Sequence, residues 1–104
     1  MEILINTDHN ISGSAEMRSY LTADLESSFE RFSEHLTRLE VKLSDENAGK
    51  EGDNDKKCVL EARLKGMQPV VVTGQGNSID QSVTDATNKL KTSLDSMMGR
   101  LRSY

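Results

Sequence analysis

Five carboxylates crowd into SDENAGKEGDND, residues 44–55: Asp45, Glu46, Glu51, Asp53 and Asp55. Oxygen ligands at that density are what Ca2+ takes, so their spacing decides the matter. An EF-hand loop needs acidic or amide residues at positions 1, 3 and 5, glycine at 6 and glutamate at 12. Counted from Asp45, the sixth residue is Lys50 and the twelfth is Lys56. The stretch therefore reads as a solvated loop rich in turn formers.

Other reactive side chains are sparse. Asp8-His9-Asn10 sets a carboxylate beside an imidazole, but one His and one Asp are too few ligands, and His35 has no Cys or His partner at ligand spacing. These three residues are turn formers. Cys58, the single cysteine, falls on the inward register of an alternating strand, which makes it a small core residue and not a nucleophile. Gly74-Gln75-Gly76 precedes a helical pattern, yet a dinucleotide fingerprint would need a third glycine where Ile79 stands. No enzyme chemistry, cofactor or small-molecule substrate is indicated.

What remains is cationic surface. On a helical wheel Lys89 and Arg100 fall within about 20° of each other, with Ser82, Ser93 and Ser96 on the same flank. Lys91 and Arg102 share the opposite flank with Asp95. The solvent face of the strands adds Arg38, Lys42, Arg63 and Lys65, interleaved with Glu40 and Glu61. Such charges usually serve solubility alone, and their value as a site depends on the elements that gather them.

Those elements fit one domain spanning all 104 residues. With 35% apolar residues, no Trp and 4% aromatics the core must be aliphatic, and the net charge of -4 excludes a protein that coats nucleic acid by bulk charge. The charge is uneven: residues 1–52 hold five Lys or Arg against eleven Asp or Glu, and residues 53–104 hold eight against six. One cysteine fits a reducing compartment. No apolar run approaches the roughly 18 residues of a membrane span, and MEILIN lacks the basic and apolar regions of a leader, so the expected address is cytoplasmic.

Residues 2–6, EILIN, are β-prone and end at TDHNISG. Met17, Leu21, Leu25, Phe29, Phe32 and Leu36 then recur at three and four, predicting a helix from about Ala15 to about Glu34 with Ser14 as N-cap. RLEVKLSD and KKCVLEARLKG alternate, turning Leu39, Val41, Leu43, Cys58, Leu60, Ala62 and Leu64 inward. PVVVTGQG is a further strand, with Pro69 where no ladder donor is required. Ser78 and Gln81 form a capping box, and Ile79, Val83, Ala86, Leu90, Leu94, Met97 and Leu101 mark a second amphipathic helix. Gly99 weakens its last turn. The expected class is α+β in the order β-α-β-β-β-α. It has a four-stranded mixed sheet of order 1-2-3-4, strand 1 parallel to strand 2, both helices on one face, and a flexible acidic hairpin loop at about 45–56.

That order, the N-I-S turn after the first strand, and Lys89-Leu90 in a KLxxxL setting resemble the hibernation-promoting factor and ribosome-associated inhibitor family, also known as the sigma-54 modulation protein family. NTDHNISG, TRLEVKLSDEN and DKKCVLEARLKGMQPV look especially like its short, single-domain members with a longer acidic hairpin loop. The resemblance covers essentially the whole chain. It implies a non-enzymatic protein that binds the small ribosomal subunit and its RNA, where messenger and transfer RNA would sit, and silences the ribosome in stress or stationary phase. Lys89 falls on the family's helix-2 lysine, and Arg100 and Arg102 in its basic C-terminal part.

The chain departs from better-known members in the second helix. Asp80 and Thr84 stand where those carry an aromatic and an acidic residue, and Thr92, Ser93, Asp95, Ser96, Met97 and Met98 stand where several lysines run. It also lacks the long C-terminal dimerisation extension of larger relatives, so direct bridging of two ribosomes is not expected. The alternative is a protein-interaction module that keeps the fold without RNA affinity and meets a partner through Met98, Tyr104 or a strand edge.

Overall fold

A computed structural model gives the order β1 (Glu2–Thr7), α1 (Ala15–Ser28), a 3-10 turn (Glu30–Phe32), β2 (Leu36–Asp45), β3 (Lys56–Leu64), β4 (Val70–Gly76) and α2 (Ile79–Arg102). The structure describes residues 1–8, 11, 13–45 and 55–102, the side chains of 100–102 excepted. The expected acidic loop and His9, Asn10 and Tyr104 therefore lie largely or wholly outside the described residues.

One sheet runs in the order β1-β2-β3-β4, with β1 parallel to β2 and the other pairs antiparallel. Alternation sets its faces. Leu39, Val41 and Leu43 of β2 and Cys58, Leu60, Ala62 and Leu64 of β3 are all buried, as their spacing predicts, and both helices cover that face. α1 adds Leu21 and Leu25, and α2 adds Val83, Ala86, Leu90, Leu94 and Met98. Among the described residues no helix lies over the opposite sheet face.

Ser14 caps α1 by accepting the Met17 N–H at 3.0 Å. The helix is shorter than its apolar stripe predicts, ending at Ser28 instead of near Glu34. Where the stripe steps by three, from Phe29 to Phe32, the backbone tightens into the 3-10 turn whose period matches that step. Both rings remain buried, tilted against each other with centroids 6.3 Å apart. Leu36, the last residue of the stripe, opens β2.

α2 begins with the predicted box in a shifted form: the Gln81 N–H donates to Ser78 Oγ at 3.1 Å, and Gln81 Oε1 accepts the Asn77 N–H at 2.8 Å. Its buried stripe ends on Met98, with Met97 only partly buried. Steps of four from Ala86 onward rotate the stripe around the helix as it crosses the twisted sheet. Met98 is thus no exposed partner contact; it is 6% exposed in the core.

Two glycines let α2 lie directly on β4. A Cβ on Gly74 would sit 2.3 Å from the Ala86 nitrogen, and one on Gly76 would sit 2.8 Å from the Ser82 nitrogen. The GQG element is therefore a close-packing device between strand and helix. Gly66, with φ of +66°, makes the β3–β4 turn in the left-handed region.

Candidate nucleic-acid interface

The eight cations singled out by the sequence divide between the two faces of the sheet and its ends. Register places the uncovered face in rows across the strands: Glu2, Arg38 and Arg63; then Leu4, Glu40, Glu61 and Val71; then Asn6, Lys42, Val59 and Thr73; then Ser44, Lys57 and Gln75. Like charges face each other between strands, Arg38 against Arg63 and Glu40 against Glu61, which is unfavourable by itself. Relief comes from carboxylates across on β1 and along the same strands. Arg38 pairs with Glu2 at 2.9 Å and Glu40 at 4.0 Å, and Arg63 pairs with Glu61 at 2.9 Å. Both arginines thus arrive with their own carboxylates.

Lys42 is exposed and has no ion-pair partner among the described residues. Beside it lies an open depression of about 360 Å3 lined by Asn6, Asp8, Ser44, Lys57 and Val59. Lys57 belongs to this surface although it was not among the expected residues. The inward register of Cys58 already sends both its neighbours outward, and that was the signal available. Lys65 sits one residue beyond β3 in the turn, held by its N–H donating to the His35 carbonyl at 2.9 Å.

The α2 cations lie across the sheet from these. Lys89 hangs over the β4 edge, where its Nζ donates to the Thr73 carbonyl at 2.9 Å and pairs with Asp85 at 3.2 Å. Asp85 Oδ2 accepts the Gln75 N–H at 3.0 Å; that bond first, and Lys89 second, hold its carboxyl below the usual value of 3.8. Lys91 lies on the other flank without an ion-pair partner among the described residues. Near it Arg31 bridges to Asp95 at 2.8 Å while stacking 4.5 Å over the Phe32 ring, tying the 3-10 turn to α2. Arg100 and Arg102 belong to the last turn of α2, and their side chains lie outside the described residues.

Two further charged or reactive groups have structural settings. Lys56 closes the base of the β2–β3 hairpin, with Asp55 at 3.0 Å and Asp45 at 3.3 Å. The Asp55 bond leads in raising its pKa above 10.5; burial opposes and Asp45 assists. The Cys58 thiol is fully buried, and that burial pushes its pKa up to about 12, as a core residue requires. Among the described residues no group of three or more His, Cys, Asp or Glu is placed to hold a metal ion. No described helix is long and apolar enough to cross a membrane.

Comparison with solved structures shows the same fold elsewhere. The N-terminal domain of Protein Y from Thermus thermophilus superposes with a TM-score of 0.73 at 21% identity, covering 93% of this chain and 99% of that one. A ribosomal subunit interface protein from Coxiella burnetii gives 0.71 at 14%, covering 95% and 99%. No curated protein sequence matches significantly. The family profile described as sigma 54 modulation protein / S30EA ribosomal protein matches residues 4–102, nearly the whole chain from β1 to the end of α2, and the chain belongs to that family.

Proposed function

We propose that this chain is a non-enzymatic, ribosome-associated regulator of translation that binds small-subunit ribosomal RNA under stress or in stationary phase. The observation that carries this reading is the family match over residues 4–102 on a chain that keeps every element of the fold. Grip on RNA comes from cations that displace counterions from phosphates. A cation already paired with a carboxylate displaces few, so Arg38, Arg63 and Lys89 contribute little and Lys42, Lys65 and Lys91 contribute most, with Arg100 and Arg102 completing the set. Affinity is accordingly modest and strongly weakened by salt.

Sedimentation of stationary-phase lysate through sucrose tests this. The protein should travel with small subunits at low salt and leave them at high salt. Reversing Lys42, Lys65 and Lys91 to Glu together should release it at low salt while thermal unfolding stays within about 2 °C, because exposed charges contribute little to stability. Absence from ribosomal fractions at every salt concentration would reject the proposal in favour of a protein-interaction module.

A further inference from the structure

β1 and β4 are the two edges of the sheet. An edge strand offers a row of unpaired N–H and C=O groups, which proteins guard with charges, proline or a covering element. β4 has no such guard in its own sequence. VVVTGQG contains neither a charge nor a proline, and its first four residues are β-branched, a composition that pairs readily with another strand. Backbone groups alternate sides along an antiparallel strand. Because Thr73 and Gln75 find partners outside the sheet, the backbone groups of Val71, two residues before Thr73, face outward as well.

Among the described residues, what meets that row is the Asp85–Lys89 ion pair of α2. Asp85 accepts from the Gln75 N–H, Lys89 donates to the Thr73 carbonyl, and the two side chains hold each other at 3.2 Å. Four residues of helix rise about 6 Å, and two residues of strand advance about 6.7 Å, so the spacings agree. An acceptor and a donor thus stand where a neighbouring strand would place its own.

We propose that the Asp85–Lys89 pair holds the place of a fifth strand and so keeps the β4 edge from antiparallel pairing with β4 of a second copy of this chain. A twofold axis through Thr73 would set Val71 against Gln75 with no charge in either strand, but it would bring the two Lys89 side chains, each held on its own Thr73, onto one another. The far edge is guarded differently: Arg18 of α1 donates to the Ile5 carbonyl at 2.6 Å and the Gly13 carbonyl at 3.3 Å, and β1 carries Glu2.

The test removes the guard from the full chain by Asp85→Ala with Lys89→Ala, both compatible with a helix interior. Light scattering should show the parent at 11.6 kDa at all concentrations and the double variant rising toward twice that mass. In the paired form the amides of Val71, Thr73 and Gln75 should exchange about tenfold more slowly. Adding Thr73→Pro, which deletes an edge N–H, should return the variant to single-chain mass. A folded double variant that stays single, or one that associates with no change at those three amides, overturns the proposal. Should the double variant lose its native circular dichroism, Lys89→Met alone takes its place under the same two readouts.

Discussion

Replacing Gly74 with alanine puts a methyl group where the backbone of α2 already lies. The added Cβ would stand 2.3 Å from the Ala86 nitrogen, 2.4 Å from the Ser82 carbonyl oxygen and 2.8 Å from Ala86 Cα, and no side-chain rotation can move those atoms. Restoring contacts of about 3.5 Å requires α2 to lift by about 1 Å, loosening Val83, Ala86 and Leu90 against the sheet. Overpacking of this kind costs about 2–3 kcal/mol, which lowers Tm by on the order of 10–20 °C in a domain of this size. Gly99→Ala supplies the control. Nothing lies within 4 Å of its Cβ, so the change adds helix propensity alone, about 0.5–1 kcal/mol, and raises Tm by a few degrees. Thermal unfolding followed by circular dichroism, with urea midpoints at constant m-value, reads both changes. A Gly74→Ala protein melting within about 2 °C of its parent would refute the close-packing argument.

Cys58, protonated and sealed by the sheet, should react with a thiol reagent at pH 8 only at the rate of global unfolding; fast labelling of the native protein would contradict its burial. Because the folded pKa of Lys56 lies above 10.5, its hairpin clamp adds stability fully below that pH and loses it as pH rises through the folded value; Lys56→Met should flatten the alkaline limb of a stability profile. Asp85 has the opposite sign: its folded pKa lies below 3.8, so its contribution is present above 3.8 and lost as pH falls through the folded value, and Asp85→Asn should flatten the acid limb. Gly66→Ala places a side chain at φ +66° and should cost about 1 kcal/mol in urea unfolding; no loss would mean that the turn can change its conformation.

Much of the fold was legible because periods of two and near 3.6 leave a plain trace. Cys58, Leu60, Ala62 and Leu64 alternate without interruption, and the stripe from Val83 to Leu94 admits one helix face. The end of α1 was not legible, since a step of three from Phe29 to Phe32 suits an α-helix and a 3-10 turn alike, and only closure onto β2 chooses between them. Met98 was misplaced because a heptad-like stripe ignores the rotation that successive steps of four impose. The role of Gly74 was hidden in another way: a glycine before a helix reads as a phosphate loop or as strand packing until the neighbouring backbone is seen.

The cations were legible as residues and not as a surface. Arg38 and Arg63 follow from alternation, but their direct opposition and their pairing with Glu2 and Glu61 depend on register, which the lengthy connection at about 45–56 left undetermined. Lys89 could be placed on a flank of the second helix from the wheel alone. That this flank overhangs an open strand edge, and that Lys89 is engaged there by Thr73 and Asp85, follows only from the tertiary arrangement.

The most direct test of the central claim is equilibrium binding of the purified chain to isolated small ribosomal subunits across a salt series. If Lys42, Lys65, Lys91, Arg100 and Arg102 carry the RNA contact, the logarithm of affinity should fall with the logarithm of salt at a slope of about -4. Binding that ignores salt, or no binding to the subunit at the lowest salt, would contradict an RNA-held ribosomal protein.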